Sequence, residues 1–294
     1  MTGAAAAPAD VRSLPELPSL GPLYARAVLT GRGRRGDQPS GHRLVVADLP
    51  VEAERLAFYQ RLCGFRVSDV LPPTYPHLLS FPLAVARMTE SDFPFPLLGL
   101  VHVRNVIVQH RPLRSDERLG ISVRAEGLRP HSSGRQIDLV AEVEVAGEPV
   151  WTSTSTYLRR EQGAAASSRR GDRLPATAPA ESAGPVQWRV PADIGRRYAA
   201  VSGDRNPIHL HDLSARLFGF KRAIAHGMWV KARVLAAFEG RLPGAFLADA
   251  TFKTPVFLPS TVELVAQPSD GGWFADLHDR RSGKPQFAMD IVRL

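Results

Sequence analysis

The chain carries the same order of elements twice, and that repetition limits its architecture more than any single residue does. Two blocks, residues 21–160 and 186–294, each open with a helix-like stretch, Pro50 to Leu62 in the first and Pro191 to Val201 in the second. Each then reaches a glycine, Gly64 or Gly203, and next an apolar helix, Pro82 to Met88 or Gly227 to Phe238. Both blocks finish in extended segments. In the first, Ile137, Leu139, Ala141, Val143 and Val145 alternate with polar residues, and Gly147 turns the chain into Val150–Leu158. In the second, Val262–Ala266, Trp273–His278 and Phe287–Arg293 are separated by the turns Ser269 to Gly272 and Arg281 to Lys284. A period of two bounded by glycine turns predicts half-buried antiparallel strands. One apolar helix with a run of antiparallel strands, repeated, predicts an α+β duplication in which each sheet wraps its own helix. Met228, Val234, Leu235 and Phe238 form the core stripe of the second helix, which Gly240 and Pro243 end. In the first helix Ser80 can cap and Pro82 suits the opening turn.

Residues 161–185 separate the blocks. Glu161 to Gly184 hold no aromatic residue and one large aliphatic, Leu174. Such a segment buries too little to offset its ordering entropy, so a flexible linker is predicted. Residues 1–20 are predicted as a loose tail on the same ground.

Composition narrows the functional classes. A hydrophobic share of 44% over 294 residues is enough for two ordinary globular cores. No apolar run reaches the length of a membrane span, and the N-terminus lacks the basic and apolar regions of a secretory signal. A single cysteine, Cys63, excludes a disulfide framework and a Cys-rich metal site, and it reads as buried filler rather than a nucleophile. A cytoplasmic enzyme is expected. The net charge is +8, and all but four of the 37 basic residues are arginine. The excess is spread along the chain, which argues against a nucleic-acid groove and fits a phosphorylated ligand or an acidic carrier protein.

The segment that carries chemistry is Tyr198-Ala-Ala-Val-Ser202-Gly203-Asp204-Arg205-Asn206-Pro207-Ile208-His209. Gly203 and Pro207 bend the backbone so that Asp204 and His209 can converge, which a straight helix or strand would forbid. An acid and a neutral imidazole about one water apart can move a proton in both directions. Seventeen residues later, Ala225-His226-Gly227-Met228 leads the apolar helix, and free N–H groups at a helix start can stabilise an oxyanion.

This pattern, Y-x-x-x-S-G-D-x-N-P-I-H followed by Gly219-Phe220 and A-H-G-M, resembles the hydratase motif of MaoC-like (R)-specific enoyl-thioester hydratases. The whole chain resembles the actinobacterial double-hotdog (3R)-hydroxyacyl-thioester dehydratases. The resemblance implies a double hotdog fold, two tandem units each with a long helix wrapped by an antiparallel sheet. It also implies reversible syn hydration of trans-2-enoyl thioesters in fatty-acid metabolism, on coenzyme A or an acyl carrier protein, with neither metal nor redox cofactor. By the same match Asp204 and His209 are the catalytic pair, Asn206 helps hold the water and the loop, and Gly227 is the oxyanion donor. Either member of the pair can be drawn with either proton. Ser202 bonds locally or touches substrate.

The first block departs from the motif. Phe65 follows Gly64 where Asp204 would lie, no Asn-Pro-x-His follows, and Phe81-Pro82 stands where His226-Gly227 stands. It is expected to hold the acyl chain, with Tyr75, Phe81, Phe93 and Phe95 as lining or as core. Around the motif, Arg196, Arg197, Arg205, Arg216, Lys221 and Arg222 are solvated charges or phosphate contacts, the last four being the preferred candidates. His211 is expected as a loop residue, His226 as a packed structural residue, and Tyr198 as core beneath the loop. A metal cluster of His209, His211 and His226, with Asp212 as a further ligand beside the H-x-H pair, is the rival use of these residues. A hotdog thioesterase is the rival enzyme and a non-catalytic acyl-thioester binding subunit the rival without chemistry. Because the chain is already a pseudo-dimer, a monomer or a homodimer is expected.

Overall fold

The structure is a computed structural model that describes residues 10–30, 38–97, 99–161 and 185–294. The predicted linker therefore lies almost wholly outside the described residues. In chain order the first half runs β1 (Val11–Ser13), α1 (Leu20–Thr30), β2 (Arg43–Leu49), α2 (Ala53–Cys63), α3 (Tyr75–Thr89), β3 (Leu100–Gln109), β4 (Leu119–His131), β5 (Gly134–Val145) and β6 (Glu148–Arg160). The second runs β7 (Val186–Val190), α4 (Ile194–Ser202), a 3₁₀ turn (Pro207–His209), α5 (Asp212–Leu217), α6 (Gly227–Ala236), β8 (Phe246–Phe252), β9 (Ser260–Ser269), β10 (Gly272–Asp279) and β11 (Pro285–Arg293).

The two halves share one sheet of 11 strands, ordered β1-β2-β4-β5-β6-β3-β8-β11-β10-β9-β7. From the β3–β8 seam outward, one half reads β3, β6, β5, β4, β2 and the other β8, β11, β10, β9, β7. The duplication is thus in the topology as well as the pattern. The halves do not keep separate sheets as expected, because β3 pairs antiparallel with β8 from Arg104↔Thr251 to Gln109↔Phe246. That pairing satisfies the edge N–H and C=O groups that two separate sheets would leave open. The period-two reading holds: Ile137, Leu139, Ala141 and Val143 of β5 are buried, as are Val262 and Leu264 of β9 and Ala275 and Leu277 of β10.

Three expectations need correction. In each half a strand, β2 or β7, precedes the helix that ends at Gly64 or Gly203. β7 is five residues long and forms the outer edge of the sheet, so its alternation is too brief to stand out beside the linker. Residues 10–20 are not a loose tail: Val11–Ser13 pair in parallel with Arg43–Val45, and Leu14, Leu17 and Leu20 pack on the core. Three leucines spaced by three make that segment apolar enough to dock.

The third correction concerns α3. It starts at Tyr75, with Thr74 as its cap and Pro76 in the first turn, so Pro82 is interior and Ser80 does not cap. Ser80 Oγ instead donates to the His77 carbonyl at 2.9 Å. Pro82 cannot donate to the residue four before it, a fault usually unfavourable in a helix interior. Here α3 is held by its surroundings, since 13 of its residues are buried, many against β2, β4 and β5. It follows that Phe81-Pro82 does not occupy the place of His226-Gly227. Of the two uses expected for Tyr75, Phe93 and Phe95, core is the one found. Tyr75 stacks edge-on to Tyr59 and Phe93 to Phe95, and only Phe81 of the four expected lining residues reaches the cavity described below.

Cys63 is fully buried, and burial pushes its thiol up, as filler rather than nucleophile would have it. Met228, Val234, Leu235 and Phe238 are buried as expected. On the same helix, Lys231 is buried against the β3–β8 seam. Its Nζ donates to the carbonyls of Asn105 and Ala248, both at 2.9 Å, and to Asn105 Oδ1 at 2.6 Å. Three acceptors satisfy an ammonium that apolar surroundings alone would destabilise.

Candidate active site

α4 ends at Ser202, where Gly203 takes the left-handed conformation (φ 77°) and turns the chain back over the helix. Ser202 Oγ donates to the Tyr198 carbonyl at 2.8 Å and accepts the Asp204 N–H at 3.1 Å, two bonds within its own loop. Asn206 caps the 3₁₀ turn by accepting the Ile208 N–H on Oδ1 at 3.4 Å, and Pro207 opens that turn. The turn swings His209 back toward Asp204. One ligand atom from each of Asp204, His209 and His226 lies within 4.8 Å of the others. The convergence expected of residues 204 and 209 is present.

The hydrogen bonds assign the tautomers. His209 Nδ1 lies 2.8 Å from the Ile224 carbonyl, which can only accept, so Nδ1 carries the proton and Nε2 keeps its lone pair. His226 Nε2 likewise donates to the Asp204 carbonyl at 3.0 Å. Its Nδ1 is buried without a partner. His226 is therefore packed at the helix start, and it also ties the loop to that start. The two imidazoles stack with centroids 3.7 Å apart. Burial lowers the pKa of His209, opposed by Asp204. Burial, then the neighbouring His209, pushes His226 down to about 3. Both rings are neutral near pH 7. The rival metal reading is met in part: Asp204, His209 and His226 are grouped closely enough to be potential ligands, whereas His211 and Asp212 are exposed and outside that group.

Gly227 is the first residue of α6, and helix geometry gives its N–H no intrahelical acceptor. Its lack of a side chain is required: a Cβ there would lie 2.9–3.1 Å from three carbons of the Phe252 ring. Asp204, Asn206, Ser202, His209 and Gly227 all line one cavity of about 330 Å³. Its other wall comes from the first half. Leu78, Phe81, Val85, Met88 and Leu100 make that wall apolar, and Tyr24, His77, His102 and Tyr157 interrupt it. His77, His102 and Tyr157 form a stacked series, 6.1 and then 4.7 Å between centroids. Burial first, then Lys231, pushes His77 down to about 4, while burial and His77 lower His102. The wall expected to hold the acyl chain is therefore apolar along α3 but polar at these four residues. Sequence reading missed these four residues, as well as Arg160 of the first half and Lys253 of the second, which also line the cavity, and nothing in their local spacing marks them. Arg205, Arg216, Lys221 and Arg222 are exposed and outside the cavity wall, around Phe218 and Phe220, which are part of it. Arg222 packs over the Phe257 ring at 5.7 Å.

Four buried neutral histidines predict acid lability. An unfolded histidine takes its proton near pH 6.5, whereas His77 and His226 refuse it until about 4 and about 3. The unfolded state then binds more protons, so stability is complete above pH 6.5 and is lost as pH falls from 6.5 toward 4. Each of these two histidines contributes up to about 1.4 kcal/mol per pH unit in that window. Thermal melts at pH 7, 5.5 and 4.5 measure it, and an unchanged melting temperature would contradict the buried neutral rings.

Two like halves on one continuous sheet, antiparallel from β2 to β7, with an Asp/His loop beside an open helix start, define the double-hotdog class. The MaoC like domain family matches residues 173–282. The chain is 38% identical over 260 residues to the 3-hydroxyacyl-thioester dehydratase X of Mycobacterium tuberculosis, covering 87% of this chain and 91% of that one. A crystal structure of HtdX from the same organism aligns with a TM-score of 0.76 and 35% identity, over 86% of this chain and 100% of that one. A MaoC-like dehydratase from Phytophthora capsici has a TM-score of 0.71 at 18% identity, over 87% and 96%, and so shares the fold. The chain belongs to the MaoC-like family of thioester dehydratases. Among the described residues no helix is long and apolar enough to cross a membrane.

Proposed function

We propose that this chain interconverts (3R)-3-hydroxyacyl thioesters and trans-2-enoyl thioesters by elimination or addition of water. The observation that carries this reading is the convergence of Asp204 and the His209 Nε2 lone pair in one cavity with the first N–H of α6. In dehydration the thioester carbonyl oxygen takes the Gly227 N–H, which makes the α-carbon acidic. His209 Nε2 accepts the α-proton, and the Asp204 carboxylate stabilises the imidazolium that results. The same proton then goes to the departing 3-hydroxyl, so water leaves and the double bond forms. Both transfers use one face, which makes the elimination syn. Asn206 holds the loop, and Ser202 positions the Asp204 backbone.

The acyl chain occupies the first-half wall, along Leu78, Phe81, Val85 and Met88. The carrier, coenzyme A or the phosphopantetheine of an acyl carrier protein, leaves past Phe218 and Phe220 toward Arg205, Arg216, Lys221 and Arg222, whose guanidinium and ammonium groups suit phosphate. No redox cofactor enters the scheme. Both halves of the cavity come from one chain, so a monomer is sufficient for the reaction. Crotonyl-coenzyme A tests the reading directly. Its enoyl absorbance is expected to fall without release of free thiol. Free thiol would mean a thioesterase, and an unchanged spectrum a binding subunit.

A further inference from the structure

Helix α1 lies outside the Asp-His loop and outside the residues that match the MaoC like domain, yet it closes on that loop. Any Cβ on Gly203 would lie 2.2 Å from Leu20 Cδ1, so the first turn of α1 rests directly on the turn that follows α4. One turn further on, the Tyr24 hydroxyl donates to Asp204 Oδ1 at 3.4 Å and accepts the Arg205 N–H at 3.3 Å. The Asn206 N–H reaches the same Oδ1 at 3.2 Å. Oδ1 therefore has two donors, and Oδ2 has the longer approach, 3.8 Å, of His226 Nε2. Tyr24 also lines the cavity. Burial, and then the charge of Asp204, raise the Tyr24 pKa, so the phenol keeps the proton it donates.

We infer that Tyr24, from the N-terminal helix and 180 residues away in sequence, is a positioning residue for Asp204. It holds Oδ1 against rotation and leaves Oδ2 directed at the reacting atoms. The inference rests on the functional reading above, in which Asp204 takes part in the chemistry. A loop of this kind supplies only one local donor, the Asn206 N–H two residues on, and a carboxylate oxygen with a single donor is loosely held about its terminal torsion. The second donor reaches the same oxygen from outside the loop and narrows that torsion. At 3.4 Å the bond is long for O–H···O, so the expected effect is the lower end of what a hydrogen bond to a charged group contributes, about tenfold in rate.

The test is steady-state hydration of crotonyl-coenzyme A by Tyr24→Phe and Tyr24→Ala, with Asp204→Asn as the reference. Tyr24→Phe keeps the ring and its packing and removes only the oxygen. Its kcat is expected to fall about tenfold, with KM and melting temperature unchanged, and Tyr24→Ala to be no more active than Tyr24→Phe. Full activity of Tyr24→Phe beside an inactive Asp204→Asn would overturn the positioning role and leave the functional reading intact. A loss confined to KM would do the same, since it would make Tyr24 a substrate contact. Full activity of Asp204→Asn would instead overturn the functional reading, and the role of Tyr24 with it.

Discussion

Asp204→Asn is expected to lower kcat for crotonyl-thioester hydration by about 10²–10⁴-fold, the usual contribution of a positioned acid–base group. The substitution is nearly isosteric. The Asn206 N–H and the Tyr24 hydroxyl can still donate to the amide oxygen, so the loop keeps its shape and the melting temperature should hold. What is lost is the negative charge beside His209. His209 needs a more careful variant. It is buried, and Nδ1 bonds the Ile224 carbonyl, so truncation to Ala leaves that acceptor without its donor. That loss costs about 1–3 kcal/mol of stability, which would confuse the measurement. His209→Asn places an amide N–H close to the Nδ1 position and removes Nε2. It is expected to match Asp204→Asn in rate loss while keeping most of the stability. Near-normal hydration by either variant, with a normal circular dichroism spectrum, would remove the pair from the mechanism.

The second large effect concerns Gly227. Proline is tolerated in a first helical turn, so Gly227→Pro should leave α6 formed while deleting one N–H. Loss of one oxyanion donor typically costs about 10²–10³-fold in turnover. The structure adds a second consequence, because any Cβ at this position meets the Phe252 ring at 2.9–3.1 Å. Gly227→Ala retains the N–H and makes the same contact, so the two effects separate when both variants are placed on Phe252→Leu, which shortens the opposing side chain. On that background Gly227→Ala is expected to return to within a few-fold of Phe252→Leu alone. Gly227→Pro is expected to stay about 10²–10³-fold below it. Equal recovery of both would mean that crowding, not the donor, explains the glycine. Pro82→Gly in the first half is no counterpart of this change, since Pro82 lies inside α3 rather than at its start.

What was legible in the sequence shares one property: its evidence is local. The alternation in β5, β9 and β10 reports burial because successive side chains of a strand face opposite sides. The loop from Ser202 to His209 reports its own shape, since a left-handed glycine, an Asn cap and a proline-led turn act on eight consecutive residues. Both readings agree with the structure, and the convergence of Asp204 with His209 follows from backbone geometry alone. Where local signals conflict, reading fails. A proline normally marks a helix start, so Pro82 placed the beginning of α3 seven residues too late. Tertiary burial of that helix overrides the local preference.

By itself, then, the sequence determined the repeated order of elements, the half-buried strands and the chemistry that the Asp-His loop can offer. The tertiary structure alone decided that the halves share one sheet, because edge pairing of β3 with β8 depends on register across 145 residues of chain. It alone brought His77, His102 and Tyr157 to the wall facing Asp204, and Tyr24 onto its carboxylate. It alone showed why residue 227 has no side chain. The physical reason is the same in each case. Periodicity specifies which side of its own element a residue occupies, whereas its neighbours across the cavity are chosen by sheet register and helix packing, to which no short stretch of chain is sensitive.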